Sequence, residues 1–295
     1  MTDVYLPLYE AKMLSFYDSR FQTYEGADSQ NLPALDAAAH DDPNRESLPR
    51  YWIAEEHVSG ALEGRWDYGW LAGCRRLTRG SDVRTLIPFP AGSSGFADSA
   101  WLLSVDSPSN ASRLLAILSS FVNDFVVRQK LSGTTLSSYY LSQLSVPSPN
   151  DVDTLFESSS GFVVQILDGS SVELGFTSWR LSAMARNLGD AGPPFRWIPE
   201  RREQIRAEMD AIMFHVYGLD RDEVDYVMET FTVLRKYDVR DHGEFRTKRL
   251  ILEYYDLLAE AISSSVPYES PISPPPGFGP RHDESTRPYW MKEEQ

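Results

Sequence analysis

"SPSNASRLLAILSSFVNDFVVRQK", residues 107–130, decides how the chain is read. Ser107 or Ser109 can cap a helix here, and Leu114, Leu115, Leu118, Phe121, Val122, Phe125 and Val126 then share one wide apolar face. Arg128 and Lys130 close the pattern, where cations suit a helix C-terminus. The spacing predicts one long helix. Ahead of it lie short strand-like pieces, at Tyr51 to Ile53, in part of Trp66 to Leu77, at Val83 to Phe89 and at Trp101 to Val105, each bounded by Gly, Pro, Asp or Ser.

Behind it, 161–176 reads as a hairpin turning at Asp168-Gly169, followed by a helix at about 178–188. A further helix opens at Pro199 and stops at Gly218, with Ile205, Met209, Ile212, Met213 and Val216 as its scaffold stripe. "DRDEVDYVMETF" (220–231) predicts a short helix and "FRTKRLILEYYDLLAEAISSS" (245–265) a long one. Near the start, the chain is extended around Pro7, and Met13, Phe16 and Tyr17 then fall at helical spacing.

The expected fold is therefore α+β: a mixed α/β domain over 47–176, then a helical region over 177–265. An N-terminal connector (1–46) precedes them, and its polar run continues to residue 49 as an exposed connection. A Pro/Ser-rich tail (266–295), expected to hold no core, follows them.

A net charge of −15 argues against nucleic acid as a partner. The charge is uneven, however: residues 1–46 carry net −6, residues 47–150 net +1 and residues 151–295 net −10. The least acidic part contains "GRWDYGWLAGCRRLTRGSDVRT" (64–85), where Arg65, Arg75, Arg76, Arg79 and Arg84 stand beside Trp66, Tyr68 and Trp70. Such a cluster is either an ion-pair network or a grip on phosphates and base edges. No apolar run reaches the roughly 18 residues of a membrane span. No leader pattern opens the sequence, and Cys74 is the only cysteine, so a cytoplasmic location is expected.

No catalytic constellation is legible. His40, His57, His215, His242 and His282 lack metal-site spacing. "GFGP" (277–280) lies in the tail rather than between a strand and a helix. Glu10-Ala11-Lys12 has the local form of a nuclease element without the upstream acid. "GPPFRW" (192–197) has the outline of an adenine-methyltransferase loop, but Gly192 stands where the acceptor belongs, so a rigid turn is expected.

Several stretches, in order, resemble one family: "YLPLYEAKMLSFYDSRFQTYEG" (5–26), "LPRYWI" (48–53), "CRRLTRGSDVRT" (74–85), "LLAILSSFVNDFVVRQKLSGTTLSSYYLSQLSVPSP" (114–149), "GPPFRWIPERREQIRAEMDAIMFHVYGL" (192–219) and "FRTKRLILEYYD" (245–256). They are similar to the portion downstream of the catalytic domain in adenine-specific DNA methyltransferases of type IIG restriction–modification and related phage-defence systems. The resemblance covers about Val4 to Ile262. It implies that residues 47–176 are a target recognition domain that reads duplex DNA.

By this resemblance Arg76 and Arg79 fall in the family's arginine stretch, with Arg75 and Arg84 flanking. Gly133, Thr134 and Thr135 match a Gly-Thr loop also found in type I specificity subunits, reached from a helix ending in Arg128 and Lys130. These nine residues are the expected DNA contacts. The family's S-adenosylmethionine pocket lies upstream, so no cofactor is expected in this chain, and the methyltransferase catalytic domain or subunit becomes an expected partner. Methyl transfer by this chain alone is not expected. The alternative is a protein-docking module of a defence complex without DNA contact.

Overall fold

The first strand, β1 (Tyr5–Tyr9), is flanked by two others, and together they make a small mixed sheet. β2 (Tyr51–Ala54) runs antiparallel to it, with Leu8 opposite Tyr51, and β5 (Gly95–Phe96) runs parallel. The computed structural model describes residues 4–28, 31–148 and 162–291. A second three-stranded sheet is wholly antiparallel, in the order β4 (Pro88–Gly92), β3 (Trp70–Arg75), β6 (Ala100–Leu103). β3 is its buried centre, and a Cβ added to Gly73 would lie 2.8 Å from the Trp101 carbonyl oxygen and 2.9 Å from the Phe89 ring. Short helices α1 (Ala37–His40) and α2 (Glu55–Leu62) flank β2 in sequence.

The fold is mixed α+β with a helical C-terminal region, as expected. The long helix of 107–130 is two, α3 (Pro108–Ser119) and α4 (Phe121–Lys130), meeting at Ser120 in extended backbone, ψ 151°. Ser120 caps both. Its hydroxyl donates to the Ile117 carbonyl at 2.7 Å and lies 3.4 Å from the amide of Asn123. The Phe121 amide, which a continuous helix would give to Ile117, instead donates to buried Asp210 at 2.8 Å. The break points Phe121 edge-on at Phe231, 4.7 Å between ring centres. α5 (Ser138–Leu141) follows the Gly-Thr loop.

The expected hairpin at 161–176 is a helix, α6 (Phe162–Gly175). Its described side chains are buried on more than one side, Ser170, Ser171 and Glu173 included alongside Leu167, Val172 and Leu174. A segment buried all round loses the polar stripe that betrays a helix. Asp168-Gly169 makes no turn. Gly169 is there because the tail crosses it: a Cβ would sit 2.6 Å from the Pro276 carbonyl oxygen.

After α7 (Ser182–Asn187), the helical region comprises α8 (Pro199–Val216), α9 (Arg221–Glu229), α10 (Thr232–His242) and α11 (Arg246–Ser264). Pro199 occupies the first turn of α8, and Asp220 with Glu223 forms a reciprocal cap on α9. The largest apolar cluster joins α8, α9 and α11 to Tyr17, Ile117, Phe121 and Leu174, so it draws on residues on both sides of position 176.

Two further expectations fail, and a third, the exposed 25–49 connection, holds in part. Residues 11–24 hold only a single 3-10 turn, Ala11–Met13, although Met13 and Tyr17 are buried. The 25–49 connection is sewn to the body by buried Arg20, whose guanidinium donates to the carbonyls of His40, Asp42 and Arg45 at 2.7–2.8 Å. The tail contributes to the core through Tyr268, Ile272 and Met291, and the amides of Gly277 and Gly279 donate to Glu173 at 2.8 and 3.3 Å. No helix among the described residues is long and apolar enough to cross a membrane.

Candidate functional site

Asp124, in the first turn of α4, is fully buried and collects much of the arginine stretch. It accepts from Arg84 Nε at 2.6 Å, from Arg128 Nε at 3.0 Å and from the Thr85 amide at 3.0 Å. Arg84 also donates to the Ser119 carbonyl at 2.5 Å and lies 3.9 Å over the Phe121 ring. Arg128 reaches the carbonyls of Asp82 and Val83 at 2.6 and 2.9 Å and covers Phe231 at 4.2 Å. Arg84 and the Thr85 amide tie the 82–85 loop to Asp124 of α4, Arg128 ties α4 back to the carbonyls of that loop, and Arg84 also reaches the end of α3. Arg75 is turned inward too, donating from Nε to the Leu14 carbonyl at 2.8 Å, and burial lowers its pKa to about 10.

Arg75, Arg84 and Arg128, expected on DNA, are therefore committed to internal partners. The aromatics follow them inward. Trp66 and Trp70 are buried and packed edge-on at 5.6 Å, and only Tyr68 of the three is exposed.

The remaining cations face outward. Arg76 pairs with Asp98, whose side chain is 89% exposed, an arrangement worth little and easily exchanged. Among the described residues, no hydrogen bond or ion pair holds the guanidinium of Arg65 or Arg79, and both are exposed. Lys130 is exposed with one bond, to the Gln143 carbonyl at 3.2 Å.

The arginine stretch and the Gly-Thr loop form one ridge. The Thr78 amide donates to the Thr134 carbonyl at 3.1 Å, the Leu136 amide donates to the Arg76 carbonyl at 2.7 Å, and Leu77 bridges Thr135. Trp101 Nε1 donates to the Leu136 carbonyl at 2.7 Å and fixes the ridge to β6. Leu77, Arg79, Gly133 and Thr134 are exposed along it, and nothing lies within 4 Å of a Cβ built on Gly133.

Beneath the inward arginines lies a cleft of about 690 Å³ between the 81–84 loop, the α3–α4 junction, α8 and the α10–α11 pair. Arg206, Asp210, Arg246 and Asp238 line it beside Arg75 and Arg84, and sequence reading singled out none of those four. Burial raises Asp210 to about 6, against the opposing pull of Arg84, the Phe121 amide and Arg206.

Two of the histidines serve packing, while His57 and His242 are exposed. His40 lies 3.2 Å from Asp18 and stacks on Trp197 at 4.1 Å, and His215 stacks on Tyr255 at 4.0 Å. "GPPFRW" is a structural turn, with Phe195 buried under the Arg281 guanidinium at 3.6 Å. Among the described residues no three His, Cys, Asp or Glu side chains gather as a metal site. Lone Cys74 is buried, and burial pushes its thiol up to about 12. No protein-family model, curated protein or solved structure matches the chain.

Proposed function

We propose that this chain is the DNA-recognition portion of an adenine-specific methyltransferase system in the cytoplasm. It would bind duplex DNA and position an adenine for a catalytic domain or subunit outside this chain. The methyl donor, S-adenosylmethionine, belongs to that partner, and the role of this chain is confined to the duplex.

One observation carries the reading. Two of the motifs that carry the resemblance, the arginine stretch and the Gly-Thr loop, lie more than 50 residues apart in sequence and are zipped by backbone hydrogen bonds into a single exposed ridge. On and beside that ridge, Arg79 has no side-chain partner among the described residues, Arg76 pairs with an exposed carboxylate and lies 5.4 Å over the Trp101 ring, and Lys130 ends the adjoining helix. Arginine forks and open backbone at Gly133 suit phosphate oxygens, while the buried arginines behind stiffen the loop that presents them. The acidic flanks keep other faces off the duplex by repulsion.

The test is binding of the chain to duplex DNA across a salt series. With three cations engaged, the logarithm of affinity should fall against the logarithm of salt with a slope of about −3. Absence of binding at low salt, with the catalytic partner also present, contradicts the proposal.

A second reading has its own observation. Tyr5 and Trp52, 56% and 53% exposed, share one side of the β1–β2 pair, an aromatic patch suited to protein docking without DNA contact. Retention of a protein partner at high salt, with no DNA affinity, would favour it.

A further inference from the structure

We infer that the cleft beneath the arginine loop is a binding site for a small organic anion, an apolar or aromatic body carrying one carboxylate or phosphate monoester, with Arg206 as its anchor. This inference does not rest on the DNA reading.

The argument is an accounting of charges on the cleft wall. Arg84 is spent on Asp124, and Arg75 on the Leu14 carbonyl. Arg246 lies 3.2 Å from Glu203. The acids are engaged as well: Asp210 accepts from the Phe121 amide at 2.8 Å, Asp238 from the Thr247 amide at 2.6 Å and Asp82 from the Arg79 amide at 3.1 Å. Arg206 alone has neither a hydrogen bond nor an ion pair among the described residues, and Glu203 and Asp210 act on it only through space.

Arg206 lines the cleft and is exposed, so its guanidinium is open to a ligand. A guanidinium fork with no protein partner among the described residues fits a carboxylate or phosphate in bidentate fashion.

The rest of the wall specifies the body of the ligand. Phe16, Phe21, Leu234 and Leu250 line the same cleft and are half-buried, leaving apolar surface to cover. A volume of about 690 Å³ lies within the usual range for small-molecule sites.

The experiment uses the full chain, saturation-transfer NMR and three probes: phenyl phosphate, phenylacetate and neutral 2-phenylethanol. Both anions should bind saturably and 2-phenylethanol at least about tenfold more weakly, because only the anions engage the fork. Arg206→Met, which keeps the apolar stem, should weaken both anions about tenfold or more, and Arg206→Lys should lie between. Arg79→Ala should change nothing, which separates this site from the ridge. The tighter anion identifies the source, phosphate or carboxylate. Thermal melts check that the Met variant folds; if it does not, the Lys variant and the neutral probe decide. Equal binding of the neutral probe, unchanged binding in Arg206→Lys and Arg206→Met, or no saturable binding overturns the inference. So does displacement of phenyl phosphate by duplex DNA, which would assign the cleft to the nucleic-acid surface.

Discussion

Arg84 and Arg79 lie five residues apart in one loop and do opposite things. Arg84 is pinned to a fully buried carboxylate and stacked on Phe121, whereas the Arg79 guanidinium stands in solvent. The difference teaches that a cluster of arginines in sequence is not a basic surface. Three of the four arginines between 75 and 84 sort by partner: Arg75 to a backbone carbonyl, Arg84 to Asp124, Arg76 to the exposed Asp98. The inner set holds the loop in shape, and the outer set is available to a ligand.

The largest expected effect tests the inner set. Asp124→Ala strands two arginines around an empty site, and breaking a buried pair in this way costs about 3–5 kcal/mol. Urea denaturation should show that loss. A loss below 1 kcal/mol would mean the clasp is not what shapes the loop.

A pH series comes next, because Asp210 lies behind the same loop. Burial raises its pKa from 3.8 to about 6, so the folded state holds the proton more tightly than the unfolded chain. The stability contributed by this group is therefore present below pH 4 and is lost as pH rises through about 6. Asp210→Asn retains an acceptor for the Phe121 amide without ionising. Its stability relative to wild type should rise by about 2–3 kcal/mol between pH 4 and pH 7. A flat difference across that range would show that the inner cations, not burial, set the state of Asp210.

The outer set should be nearly silent in stability. Asp98→Ala and Arg79→Ala are each expected within about 0.5 kcal/mol of wild type by the same denaturation measurement. A cost comparable to that of Asp124→Ala would erase the distinction between the two sets.

What was legible beforehand follows the same inside–outside logic. α8 was readable because Pro199 and Gly218 punctuate it, and α9 because its apolar residues repeat at helical spacing. α10 was missed because none of its residues is buried, which leaves no apolar stripe to read. α6 was misread for the opposite reason, burial on more than one side. In the site, the Gly-Thr loop and the arginine stretch were each visible, but their union depends on long-range backbone pairing that no local pattern encodes. Asp124 sat unremarked inside an apolar run, and nothing in its spacing told which arginines it would hold. Arg206 was hidden in the charged run "ERREQIRAEMD" (200–210), where a cation facing a cleft reads the same as one facing water.

The most direct measurement is the salt dependence of duplex binding for three proteins: wild type, an Arg79→Ala, Lys130→Ala double variant, and an Arg235→Ala, Arg240→Ala control that removes two exposed cations from α10. The ridge account predicts that the first double variant binds more weakly at every salt concentration and loses about 2 units of slope, while the control matches wild type. Equal slopes for all three proteins, or a larger loss in the control, would contradict it.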